Sequence, residues 1–84
     1  MKASIEISMY PLDADYIRPI SAFIEKLNTH PELEILTNTM STQIFGEYDL
    51  LMDIMKSEIK DVFSTTKAAV MVLKIVNQDL KPNK

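Results

Sequence analysis

The side chains that could do recognition chemistry fall in two short stretches. One is Thr37–Gln43, T-N-T-M-S-T-Q, where Thr37, Asn38, Thr39, Ser41, Thr42 and Gln43 crowd the middle of the chain. Hydroxyls and amides donate and accept over short reach, which suits a small polar ligand. The same residue types also favour turns, so a polar hairpin turn is the competing reading. The other stretch carries Glu6, Ser8 and Tyr10 at alternate positions. A lone carboxylate in a strand is ordinarily solvated or paired across the ladder. Its functional reading is recognition of a cationic or amino-bearing ligand.

Catalysis finds little support. General acid–base work needs a second positioned group beside Glu6, and none is evident. Gly46 is the only glycine, which excludes the phosphate-binding loops that need several. The chain has no cysteine, hence no thiol nucleophile and no thiolate metal site. His30 is the only histidine and precedes Pro31 in a connection, where it reads as a surface residue at a helix end. Asp13 and Asp15 read as helix caps. Most of the six methionines sit at core spacings, as gap fillers. No catalytic residue, metal site or cofactor is expected.

The elements that must hold these groups are legible from periodicity. "KASIEISMY", residues 2–10, alternates: Ala3, Ile5, Ile7 and Met9 face one way, and Lys2, Ser4, Glu6, Ser8 and Tyr10 the other. Period two is the mark of a half-buried strand, and Pro11 ends it. Over residues 15–29, Ile17, Ile20, Ile24 and Leu27 repeat at helical spacing, with Pro19 tolerated in the first turn. Two extended segments follow, Leu33–Thr37 and Met40–Phe45, with Asn38 turning the chain between them. Asp49 is expected to cap a second helix reaching Phe63, with Leu51, Met52, Met55, Ile59, Val62 and Phe63 as its apolar stripe. Residues 68–76, "AAVMVLKIV", form the last strand.

The order β-α-β-β-α-β predicts an α+β, ferredoxin-like sandwich: a four-stranded antiparallel sheet with two helices on one face. One domain spans residues 1–78, and residues 79–84 form a polar, frayed tail holding Lys81 and Lys84. Ile5, Ile7, Met9, Ile44, Met71, Leu73 and Ile75 are the expected core face. The other face mixes Ser4, Glu6, Ser8, Ser41 and Gln43 with Phe45, Val70 and Val72. It is either solvated or packed on a second subunit, as contiguous apolar surface suggests.

Eighty-four residues bury a modest core, so a partner subunit is a reasonable source of more. Net charge is −3, and the nine basic residues do not cluster, which argues against nucleic acid. No apolar run approaches the roughly 20 residues of a membrane span. No signal-peptide core is evident at the N-terminus, so a cytoplasmic location is expected.

"EISMYPL" (Glu6–Leu12) and "TNTMSTQIFGEYD" (Thr37–Asp49) together resemble the YkoF-like family of thiamin- and hydroxymethylpyrimidine-binding proteins, also known as DUF77. The specific part is the strand-ending Tyr-Pro and the Asn-x-Met-Ser-Thr run. The resemblance implies a ferredoxin-like fold and assembly into a homodimer or homotetramer. It also implies binding of thiamin or a related pyrimidine without chemistry on it. The residues it points to are Glu6, Ser8 and Tyr10, and Asn38, Thr39, Met40, Ser41, Thr42 and Gln43. The alternative is an ACT-like regulatory module sensing another metabolite. "GEYDLL" resembles a turn of such domains, but there the chain continues as a strand, whereas Leu51–Phe63 repeats helically.

Overall fold

A computed structural model describes residues 1–82. The elements run β1 (Lys2–Pro11), α1 (Ile17–Leu27), β2 (Glu34–Thr37), β3 (Thr42–Glu47), α2 (Tyr48–Thr65) and β4 (Ala69–Val76). All strand pairs are antiparallel, in the order β2-β3-β1-β4. This is the expected ferredoxin-like α+β arrangement, with β1 and β3 central. Both helices cover the face carrying Ala3, Ile5, Ile7, Met9 and Ile44, and contribute Phe23, Leu27, Leu51, Ile54, Met55 and Val62 to one core. Ile5, Leu27, Ile44, Leu51 and Met55 are fully enclosed. Among the described residues, no helix is long and apolar enough to cross a membrane.

The helix starts differ from expectation. Neither Asp13 nor Asp15 caps α1. Tyr16 holds the cap position, already in helical φ/ψ and without a side-chain bond. Asp13 Oδ1 instead accepts from the Asp15 N–H at 3.0 Å, and Asp15 pairs with Arg18 at 2.8 Å. A cap must stand directly before the first turn, and Asp13 lies too far upstream. Nor does Asp49 cap α2. Glu47 occupies that position with extended backbone, and its carboxylate goes to the terminal amine at 3.2 Å. Asp49 falls in the first turn, where the exposed N–H groups favour a negative charge.

The α2 stripe is Leu51, Ile54, Met55, Glu58 and Val62. Phe63, one residue past Val62, turns about 100° off that stripe and is half exposed. Glu58 is the unexpected member: a buried carboxylate needs partners. His30 Nε2 lies 3.0 Å from one of its oxygens and Lys26 Nζ 3.6 Å from the other. His30 is therefore partly buried against α2 and not a free surface residue. Lys26 is held above its ordinary lysine value by its hydrogen bond to Asp61, with the Glu58 charge adding to it.

Two further expectations shift. Met40 and Ser41 belong to the turn, because β3 begins at Thr42. Ile75, expected in the core, is 47% exposed. The helices lie over β1 and β3, so the edge strand β4 is only partly covered. Its Met71 and Leu73 reach the core from the margin.

The polar segment after β4 is held rather than frayed as far as residue 82. Ser4 Oγ donates to the Gln78 carbonyl at 2.6 Å and accepts from the Leu80 N–H at 2.8 Å. Lys81 Nζ pairs with Glu34 at 2.9 Å. Lys84 lies outside the described residues.

Candidate functional site

The polar run Thr37–Gln43 is first of all a turn. Asn38 N–H donates to the Ser41 carbonyl at 3.0 Å. Asn38 Oδ1 accepts from the N–H of Met40 at 2.7 Å and of Ser41 at 3.0 Å. An Asn side chain folding onto the backbone two residues ahead is a standard way to fix such a turn. Thr37 and Thr42 hydroxyls meet across its base at 3.2 Å. Ser41 Oγ donates to Glu6 Oε2 at 2.9 Å, tying the turn to β1. Asn38, Thr37 and Thr42 thus spend their hydrogen bonds on the turn itself. Among the described residues, no buried polar side-chain atom lacks a partner, so a ligand here would engage exposed groups.

The turn overhangs a cleft of about 400 Å³, within the roughly 300–1,000 Å³ usual for small-ligand sites. One wall is the end of β1, residues Ile7–Pro11. A second is the turn, residues Thr37–Thr42. The third is the entry and first half of α1: Tyr16, Ile20, Phe23 and Ile24. Ser8, Tyr10, Asn38, Thr39, Met40, Ser41 and Thr42 are therefore brought together. Tyr10, Tyr16 and Met40 are all exposed at the mouth, and Phe23 lies buried at the back.

Glu6 and Gln43 do not line this cleft. They are cross-strand partners on the open face of the sheet, in a separate cavity of about 250 Å³ with Phe45, Lys74 and Leu80. Glu6 touches the cleft only through Ser41. Its other oxygen is 3.6 Å from Lys74 Nζ, so its charge is partly met within the sheet.

The α1 wall escaped the sequence reading. Ile20 and Ile24 have the helical spacing of a core stripe, which gives no sign that they also border a cleft. Tyr16 carried the better signal: a large aromatic ring at a helix entry with no place in the apolar stripe.

The lining offers aromatic and thioether surface for a flat ring, with hydroxyls at its edge. Among the described residues, no carboxylate, imidazole or ammonium lines the cleft. Among the described residues, no group of three or more His, Asp or Glu side chains is placed to hold a metal.

No protein-family model and no curated protein matches the chain. Solved structures do. Protein SP2199 from Streptococcus pneumoniae is 29% identical with a TM-score of 0.86, over 95% of this chain and 90% of that one. A Thermotoga maritima structure described as a "putative thiamine biosynthesis/salvage protein" is 22% identical with a TM-score of 0.84, over 93% and 85%. A DUF77 domain from Bacillus cereus is 17% identical with a TM-score of 0.75, over 100% and 83%. At the last two identities the likeness is one of fold. That fold is the one implied by the resemblance drawn from Glu6–Leu12 and Thr37–Asp49.

Proposed function

We propose that the chain, whose Glu6–Leu12 and Thr37–Asp49 segments resemble the YkoF-like, DUF77 family, is a non-catalytic binding protein for thiamin or its hydroxymethylpyrimidine precursor. The observation that carries this reading is the composition of the cleft. Its lining joins ring-stacking surface to hydroxyl donors and acceptors and lacks acid–base groups. An aminopyrimidine needs such an edge: ring nitrogens accept, and the amino group donates. Ser8, Thr39 and Ser41 are the groups in reach, with Tyr10, Tyr16 or Met40 on the ring face. The cationic thiazolium of thiamin is matched by the tyrosine faces at the mouth. Glu6 acts behind Ser41, orienting its hydroxyl.

Calorimetric titration of the purified protein with thiamin, hydroxymethylpyrimidine and thiamin phosphate tests this. Saturable heat with one of the three is the expected result. No heat and no thermal shift at millimolar concentrations of all three would overturn the ligand assignment.

The chain also acts, on this reading, as a homodimer or homotetramer. Support comes from Tyr10, Val70 and Val72, all exposed and adjacent on the open face. Val72→Glu, which sets a charge in that patch, should drive the assembly toward monomer by light scattering. An unchanged mass would remove this patch from the interface.

A further inference from the structure

Strand β1 is paired unequally on its two sides. Against β4 the ladder runs on to Pro11↔Ala69, whereas against β3 it stops at Ile7↔Thr42. Along a central antiparallel strand, the backbone N–H and C=O of successive residues are directed to opposite neighbours. Two bonds fix which residues serve which side. The Met1 carbonyl accepts from the Tyr48 N–H at 2.9 Å, at the end of β3. The Leu12 N–H donates to the Ala68 carbonyl at 2.9 Å, just before β4. Odd-numbered residues of β1 are therefore directed to β3 and even-numbered ones to β4. Met9 is the first odd-numbered residue past the end of the β3 ladder.

The polar turn explains the gap. In register, Met9 would pair with Met40. The Met40 N–H donates instead to Asn38 Oδ1 at 2.7 Å and so is lost to the Met9 carbonyl. Among the described residues, no hydrogen bond is made to the Met9 N–H or C=O. The Met9 side chain is buried in the core, while the residue forms part of the cleft wall, between β1 and the turn. A backbone pair left open in a concave site is uncommon, since both groups need partners. Pro11, the next odd-numbered residue, has no N–H to offer. Met9 thus supplies the amide that β1 directs into the cleft.

We propose that the Met9 N–H and C=O are the recognition edge of this cleft, for a flat ligand with a hydrogen-bond acceptor beside a donor. An aminopyrimidine presents that edge. Its ring nitrogen accepts from the Met9 N–H, and its amino group donates to the Met9 carbonyl. The ligand then takes the place that Met40 would hold in a longer ladder. Ile20 and Phe23 line the same cleft from the helix side. The open length is one pairing residue, because β3 fills the line beside Lys2–Ile7. A single ring fits there, and a peptide strand does not. This rests on the small-ligand function proposed above and adds which atoms select the ligand. Hydroxyls such as those of Ser8 and Thr39 can rotate to donate or accept. A backbone pair held in a strand has fixed polarity, so it discriminates.

The test joins amide exchange by NMR to calorimetry on the full chain. The probes are hydroxymethylpyrimidine and its analogue lacking the amino group. In the free chain, the Met9 N–H should exchange faster than those of Ile5 and Ile7, although all three side chains are buried. Saturating hydroxymethylpyrimidine should slow exchange at Met9 more than at Ser8 and Tyr10, whose amides serve β4. The analogue should bind about 5- to 150-fold more weakly, the range for leaving one enclosed partner unpaired. Exchange at Met9 as slow as at Ile7 in the free chain would overturn the proposal. Saturable heat with unchanged Met9 exchange, or equal affinity for the two compounds, would also overturn it and leave the binding function standing. No heat from hydroxymethylpyrimidine or from thiamin would overturn that function and this inference with it.

Discussion

Asn38→Ala combined with Ser41→Ala should weaken thiamin binding by about 5- to 150-fold. The figure takes two hydrogen bonds at about 0.5–1.5 kcal/mol each and converts the sum to a ratio of dissociation constants. The two residues act through one device. Asn38 Oδ1 holds the N–H groups of Met40 and Ser41, and Ser41 anchors the turn to Glu6. Removing both frees the wall of the cleft that carries Thr39 and Met40. Calorimetry reads the affinity, and elution volume serves as the control for assembly, which should not change. Unaltered affinity would mean that the ligand binds elsewhere than this cleft. Glu6→Gln offers a finer reading. If Glu6 acts only behind Ser41, its effect should be smaller than that of the double variant.

Leu51→Ala should be the most damaging single change to the fold. Leu51 is fully enclosed at the start of α2, near the bare Cα of Gly46, where an added methyl would come within 3.8 Å of it. Truncating an enclosed leucine costs about 2–5 kcal/mol, from lost transfer energy and the cavity left behind. For a domain whose total stability is of order 5–15 kcal/mol, that is a large share. A fall in melting temperature of about 8–40 °C follows from the usual 4–8 °C per kcal/mol at this size. Phe63→Ala is the matched control. Read from periodicity alone, Phe63 belongs to the same stripe and should cost as much. Half exposed, it should cost under about 1 kcal/mol. Urea midpoints for the two variants separate the readings, and equal losses would mean that α2 is rotated from the orientation described.

Element order and strand alternation were readable in the chain. They depend on backbone periods, two in a strand and 3.6 in a helix, that local sequence expresses directly. The cap positions were not readable: Tyr16 and Glu47 hold them. Several acidic residues stand near each helix start, and which one caps depends on where the first turn closes. Glu58 was unreadable as a buried group, since a glutamate at a stripe position is tolerable only if His30 and Lys26 arrive from α1 and its following connection. Ile75 failed for a related reason: alternation gives the face a residue points to but not whether a helix covers that part of it.

The candidate site divides in the same way. Residue type and spacing alone reveal the two polar stretches and exclude thiol chemistry and glycine-rich loops. They also carry the resemblance that names a ligand class. Packing brings Ser8, Tyr10 and residues 38–42 to a cleft shared with α1 and leaves Glu6 and Gln43 in a separate cavity of the open face. Only the tertiary structure decided that Asn38 serves the turn, and that the segment after β4 covers Ser4 and Phe45. The physical reason is that period and residue type are local properties. Which surfaces meet depends on how far each helix and the last segment extend over the sheet, and many side chains fix that extent together through packing.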